Sequence, residues 1–316
     1  DVIPPHTGLI EFLCSVVTKR GFDPAIIQQR IREAEKEMAD NGIVAVGDIG
    51  NTADTATVKS TSGIRWQNFV EVLSFTDEKS ADNFSHYSAV RDEMEQKTKA
   101  NPVPHRSVLV PHAPYTISPK TFEAINATTA GQIISIHNQE HPAEDELYQT
   151  GGGEYLKLFK IFGIETSPFP VTGLSSIRSV LPYFNNGQTI LLIHNTFMPE
   201  ADVQFAQAYA KQQGLKLVWC LCVNANLYIE NKVPPVEMLV RNGCDIVLGT
   251  DSYSSNWQLS IAKEILAIRE HFPDVPMENV LHWATAAGAK ALGWEELGIF
   301  SKGNKPGLVL LDPGKG

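Results

Sequence analysis

Seven short apolar runs recur along this chain of 316 residues, and amphipathic helical patterns fill the stretches between them. The runs are Ile43–Gly47, Trp66–Leu73, Ser107–Val110, Gln132–Ile136, Thr189–Ile193, Lys216–Cys222 and Asp245–Gly249. The clearest helical patterns are Asp23–Ala39, Ser80–Lys99, Ser118–Ala127, Met198–Gln213, Val236–Asn242 and Gln258–Phe272. Local punctuation agrees. Asp23-Pro24 offers an N-cap followed by proline at the first helical position, and Asn41-Gly42, Gly214 and Asn242-Gly243 are helix stops just before a strand. Strands that alternate with helices pair in parallel, since a parallel neighbour is reached through a crossover. The expected class is therefore α/β.

A closed barrel of this kind needs eight strands, and the residues before Ile43 read as helix back to about Thr7. Either the sheet is open or a first strand belongs upstream of Asp1. We expect the second, a (β/α)8 TIM barrel lacking its first strand here, because an open sheet would set the strand ends in a line instead of a ring. Leu308-Val-Leu-Leu-Asp312 reads as one more strand after a Gly-Asn-Lys-Pro-Gly turn, with no helix following. It is expected to belong to a small accessory β-sandwich that is otherwise missing. The expected division is residues 1–300 for the barrel and 301–316 for the start of that sheet. Ser167-Pro-Phe-Pro170 would stiffen a long crossover between the fourth and fifth strands.

Composition narrows the partners. A formal charge of −10 with scattered Lys and Arg leaves no electrostatic footprint for nucleic acid or an anionic membrane surface. No apolar run approaches the roughly 20 residues of a membrane span, and Asp1-Val-Ile-Pro-Pro does not resemble a signal peptide. A small or neutral substrate and a cytoplasmic location are the expectations. Cys220 and Cys222 sit two apart in an apolar strand with no second pair to complete a metal site, so reduced core thiols are expected, as for Cys14 and Cys244.

The polar residues that follow the apolar runs carry the functional signal. Ser135-Ile-His137-Asn-Gln-Glu140 leaves the fourth strand, His194 ends the fifth, and Asp251 follows the seventh. In a parallel α/β protein the C-terminal strand edge is where chemistry is done. Each residue alone has an ordinary structural explanation, such as a bonded imidazole or a helix cap. Glu140 alone could be a solvated carboxylate opening the acidic helix through Glu144, Asp145 and Glu146. Three strands ending alike suit a metal-activated water. His137 and Asp251 are the ligands chosen for a zinc-like divalent ion, for which iron is an alternative. Glu140 is placed to shuttle the water's proton. His194 is near enough to bind either metal or water. His112, between prolines in Pro111-His-Ala-Pro-Tyr-Thr-Ile-Ser118, would aim its ring over a substrate, while Ser118 and Asn256 read as helix caps. Two ligands do not hold a catalytic zinc. A His-x-His would complete the shell, and the sequence contains none, His6-Thr7-Gly8 included.

At these residues the chain resembles the metal-dependent amidohydrolase superfamily, in the branch of cytosine deaminases, chlorohydrolases and adenosine-type nucleoside deaminases. The matching pieces are PHAPYTIS at 111–118, SIHNQE at 135–140, LLIHN at 191–195, GTDSYSSN at 249–256, and ATAAGAKALG…KPGLVLLD from Ala284 to Asp312. They fall in family order over about two hundred residues. The resemblance implies that His137 and Asp251 are metal ligands, Glu140 the proton shuttle, His194 the residue orienting water or substrate, and His112 a substrate contact. It also implies a preceding strand ending in His-x-His and a β-sandwich built from both chain ends. Within the branch the chain is most similar to aminodeoxyfutalosine deaminase-like proteins, through VIPPHTGLIEFL at 2–13, HNQE, HNTF and TGLSSIRSVLPYF at 172–184. It departs at Cys222-Val-Asn-Ala-Asn226, usually Cys-Pro-x-Ser-Asn, and at Ser252, where many relatives carry Gly; both bear on substrate identity. The implied reaction is hydrolytic release of ammonia from an aminopurine nucleoside or related N-heterocycle, in a cytoplasmic enzyme that is a possible homodimer. Two alternatives stand beside it: hydrolysis of chloride or another group from a heteroaromatic ring, and a metal-free binding protein that kept the barrel.

Overall fold

Each of the seven apolar runs forms a parallel strand: β1 Ala45–Gly50, β2 Arg65–Val72, β3 His105–Pro111, β4 Ile133–Asn138, β5 Thr189–His194, β6 Lys216–Leu221 and β7 Ile246–Leu248. The computed structural model describes residues 3–19 and 21–310. Two ladders carry the strands in chain order, β1-β2-β3 and β4-β5-β6-β7. A backbone bond from His137 N to His112 O, 2.9 Å, joins them at the β3–β4 seam.

The helices are α1 Leu9–Thr18 and α2 Pro24–Asp40 before β1, then α3 Ala56–Lys59, α4 Ser80–Thr98 and α5 Pro119–Thr128 in the next crossovers. The β4–β5 crossover holds α6 Pro142–Thr150, α7 Tyr155–Ile161 and α8 Ser176–Val180. After β5 come α9 Glu200–Gln213, α10 Val223–Glu230, α11 Val236–Arg241, α12 Ile261–His271, α13 Met277–His282 and, beyond a π-helical segment, α14 Gly288–Ala291. Asp23 caps α2 by accepting from Ala25 N, and Gly214 closes α9 at φ 70°, a conformation that costs glycine little.

Strands β2 to β7 are largely buried on both faces, as parallel strands under helical crossovers are, while β1 is half-buried along its whole length. One cluster runs from Phe69 and Val110 through Ile136, Leu192 and Trp219 to Val247. The edges of β1 and β7 are not joined by a ladder among the described residues. The chain's later helices pack there instead: α14 and the π-helical segment contact β7, and Ala45 and Leu292 pack on Ala289, Trp294 and Leu297.

Four expectations are corrected. Strand β4 runs on to Asn138, so His137 belongs to the strand and not to the loop leaving it. Leu308–Leu310, the described part of the expected accessory strand, pairs with nothing described, and Leu308 and Leu310 are 83% and 92% exposed; Leu311 and Asp312 lie outside the described residues. Helices α9 and α12 begin two and three residues late, because Pro199 and Ser260 hold the N-cap positions. Asn256 is therefore no helix cap; its Oδ1 accepts Trp257 N in a turn. Ser118 does hold the N-cap position of α5, though its hydroxyl bonds Thr121 Oγ1 instead of the helix backbone.

One buried cation fastens the start of the sheet. Lys59, 1% exposed, pairs with Asp48 of β1 and Asn68 of β2 and lies 4.6 Å from the centre of the Trp66 ring. Asp48 and Asn68 are register partners, so the ammonium ties adjacent strands side chain to side chain.

Candidate active site

The C-terminal ends of β2 to β5 and β7 place six chemically capable side chains in one row. Glu71 near the end of β2 bonds His112 Nδ1 at 2.5 Å, and the His112 ring lies 4.7 Å, centre to centre, from that of His137. His137 in turn stacks on His194, centroids 5.4 Å apart. His194 Nε2 then lies 3.6 Å from Glu140 Oε1 and 3.9 Å from Asp251 Oδ2. His137, His194, Asp251, Glu140 and His112, the residues singled out in the sequence, thus lie together.

Strand register alone would not produce this row. His137 pairs with Ile193, and Asn138 with His194, so a regular pleat would turn the two imidazoles to opposite faces. His194 escapes the pleat by adopting φ 73°, and Asn195 after it φ 59°. Asn138 donates to Asn195 Oδ1 at 2.9 Å and Asn195 donates to Leu192 O at 2.7 Å, which holds the unusual backbone. Gln139 at φ 41° and Asp251 at φ 57° are left-handed too. Non-glycine residues pay about 1 kcal/mol or more for this conformation, and such positions cluster where geometry serves chemistry.

Hydrogen bonds settle which nitrogens face the row. His137 Nδ1 bonds His112 O at 2.8 Å, so it carries the proton and leaves Nε2 as a lone pair. Asn226, on α10, donates its amide to His194 Nδ1 at 3.2 Å, which puts that imidazole's proton on Nε2, toward Glu140 and Asp251. Burial holds both imidazoles toward the neutral form: His194 is pushed well below the usual range by desolvation and then by His137 and His112, and His137 is lowered by desolvation and His112. Glu140 moves the other way. Desolvation, reinforced by Asp251, raises its carboxyl well above the ordinary value, which favours its protonated form. At 4% exposure it is no solvated helix-opening carboxylate.

Sequence reading passed over four supporting groups. Glu71 is the one charged residue in the buried part of β2, a signal visible in Trp66-Gln-Asn-Phe-Val-Glu-Val-Leu but not weighed. Asn226 enters the sequence reading only as the last residue of Cys222-Val-Asn-Ala-Asn226, where it agrees with the usual Cys-Pro-x-Ser-Asn. Glu264, fully buried and raised to about 7 by desolvation, accepts from Asn224 and Asn256 and ties α10 to the loop of Asp251. Glu144, read as part of a solvated acidic run, is fully buried.

The donor set fits a divalent cation. It offers neutral imidazoles and carboxylates, the ligand atoms of Glu71, His112 and His137 lie within 4.8 Å of one another, and His137 Nε2 is unprotonated on the side away from its backbone bond.

A model of the amidohydrolase family matches residues 6–315. Aminodeoxyfutalosine deaminase of Nitratiruptor sp. is 24% identical over 320 residues, 97% of this chain and 73% of that protein. A 5-methylthioadenosine/S-adenosylhomocysteine deaminase of Pelotomaculum thermopropionicum is 28% identical over 209 residues, 64% of this chain and 43% of its own length. With another such deaminase covered to 50%, the chain spans about half the length of these curated relatives. Among solved structures, Helicobacter pylori aminofutalosine deaminase superposes with a TM-score of 0.74 at 20% identity, over 91% of this chain and 69% of that one. Atrazine chlorohydrolase TrzN from Arthrobacter aurescens, complexed with zinc, gives 0.71 at 17% identity, over 95% and 68%. At such identities these superpositions establish a shared fold.

Proposed function

This chain belongs to the amidohydrolase family, and on that premise we propose that it serves a hydrolytic deaminase which releases ammonia from an aminopurine nucleoside or a related N-heterocycle. The observation that carries the reading is the meeting of a buried carboxyl, Glu140, with a proton-bearing His194 Nε2 at 3.6 Å, beside Asp251. The similarity to deaminases acting on adenosine-type nucleosides supports the substrate class.

His137 through Nε2 and Asp251 would hold the metal ion, zinc or iron, with Glu71 and His112 adjoining. When bound, the ion supplies a water that ionises near neutrality. The remaining steps belong to side chains of this chain. Glu140 takes the proton that the water gives up and passes it to the ring nitrogen next to the amino-bearing carbon as the water's oxygen adds to that carbon. It then takes the new hydroxyl's proton and hands it to the amino group, which leaves as ammonia while the carbonyl forms. His194 Nε2–H, beside Glu140 and Asp251, directs a hydrogen bond at the incoming oxygen. His112, fixed by Glu71, presents its other nitrogen to the substrate. Hydrolysis of a different leaving group, chloride included, would use the same residues, since the leaving group is read by the surrounding loops.

No helix among the described residues is long and apolar enough to cross a membrane. A cytoplasmic setting, a homodimer and the division of the chain near residue 300 belong to the same proposal. The test is metal analysis together with ammonia release from aminopurine nucleosides. Ammonia with roughly one ion per chain supports the reading; a metal-free protein that binds such nucleosides without turnover would replace it with the binding-protein alternative.

A further inference from the structure

We propose that Glu144, with Ser176 and Arg178 of α8, is a positioning assembly that locks the left-handed turn at Gln139 and thereby holds Glu140 in place. It rests on the deaminase reading for its kinetic consequence, though not for its structural one.

Gln139 is the residue just before Glu140, and its φ of 41° is one that a side-chain-bearing residue resists. The turn is fastened at both of its polar ends. Its backbone N–H donates to Glu144 Oε1 at 2.9 Å, and the same oxygen accepts the Ser176 hydroxyl at 2.5 Å. Its side-chain amide donates to Asp145 Oδ2 at 3.1 Å and Asp202 Oδ2 at 2.8 Å. Both acceptors are held in turn by α8, since Ser176 N donates to Asp145 Oδ1 at 2.9 Å and Arg178 Nε to Asp202 Oδ1 at 2.5 Å. One residue of unfavourable backbone is thus clamped by α6, α8 and α9.

Glu144 stands behind Glu140, with no exposed surface and no bond to any residue of the catalytic row. A buried carboxyl is costly unless its bonds are made, and the two it makes, both through Oε1, are to the turn and to α8, while Oε2 has no hydrogen-bond partner among the described residues. This assigns a purpose to Ser175-Ser176-Ile-Arg178, a stretch that the chemistry of the row leaves unused. Displacing a reacting group by about 1 Å costs on the order of a hundredfold in rate, so a turn held this way governs kcat through Glu140.

The experiment compares Glu144→Ala, Glu144→Gln and Ser176→Ala with the parent in kcat and KM for ammonia release, in metal content, and in hydrogen exchange at the Gln139 amide. We expect Glu144→Ala to lower kcat roughly tenfold to a hundredfold with KM and metal content within about twofold of the parent, and to speed exchange at Gln139 at least about tenfold. Glu144→Gln keeps an oxygen for both donors and should restore most of each. Ser176→Ala, which removes one hydroxyl, should move both readouts the same way by less, and it decides the matter if Glu144→Ala does not fold. Unchanged kcat and unchanged Gln139 exchange in the alanine variants would overturn the proposal. So would kcat, KM and metal content falling together in Glu144→Ala and Glu144→Gln alike, which is what a general core role gives. If the parent releases no ammonia, the deaminase reading fails by itself, and the exchange comparison still decides whether the clamp exists.

Discussion

His194 stacks on His137 with ring centroids 5.4 Å apart, although the two stand one register position out of step on adjacent strands. The left-handed backbone at His194 makes the contact, and the bonds of Asn138 and Asn195 hold that backbone. The row from Glu71 to Asp251 depends on it, because His194 bridges the His137 side of the site and the two carboxyls, Glu140 and Asp251.

Ligand and proton shuttle separate by substitution. Asp251→Ala should lose metal and activity together, since on the proposed reading it removes an anionic ligand. Glu140→Gln should keep metal near the parent's level while kcat falls about a hundredfold to ten-thousandfold. Metal content measured beside ammonia release decides; full turnover in Glu140→Gln removes Glu140 from the mechanism.

Asn226 fixes the protonated nitrogen of His194 from a distance of 3.2 Å. Asn226→Ala frees the imidazole to change tautomer, and the loss of one such hydrogen bond, about 1 kcal/mol, should lower kcat by roughly fivefold to tenfold with metal content unchanged. Equal kcat in the two proteins would mean the tautomer is set by something else.

Glu144 couples stability to pH. Burial raises its carboxyl from 4.5 to about 8 in the folded protein, opposed in part by the Ser176 bond. A raised folded-state value favours the folded state fully below about pH 4.5 and loses that contribution as pH rises through about 8. Denaturant titrations between pH 5 and 8 should show stability falling at up to about 1.4 kcal/mol per pH unit from this group, and Glu144→Gln should flatten the slope. An identical slope in both proteins would sink the assignment.

Lys59 is 1% exposed and its partner Asp48 is only partly covered, so truncating the lysine leaves a half-buried carboxylate unpaired. Lys59→Ala should cost about 3 kcal/mol, the low end for breaking a buried pair, while Asp48→Asn with Lys59→Met should recover part of it. Urea midpoints measure both, and a shift equivalent to under about 0.5 kcal/mol for Lys59→Ala would contradict the pairing's importance.

The parallel α/β architecture was legible because it is written in local chemistry. Apolar runs such as Thr189–Ile193, the Asp23-Pro24 start and the Gly214 stop act within a few residues, and all seven strands formed within about three residues of where periodicity put them. The identity of the polar residues at the strand ends was legible for the same reason. What stayed hidden depends on partners far away in sequence. Glu144 and Asp145 are neighbours in one acidic run, yet Glu144 is fully buried on Gln139 and Ser176, which nothing local announces. Glu71 gains meaning only from His112, 41 residues on.

By itself the sequence determined where the seven strands and the main helices lie to within about three residues, and which imidazoles and carboxyls lie near the strand ends, because those follow from side-chain periodicity and capping. Tertiary structure alone decided that His194 turns against its own pleat, which nitrogen of each imidazole is free, and that burial raises the proton affinity of Glu140. Backbone handedness at His194 and the proton affinity of Glu140 are set by desolvation and by bonds across strands, and neither exists until the chain has closed around them.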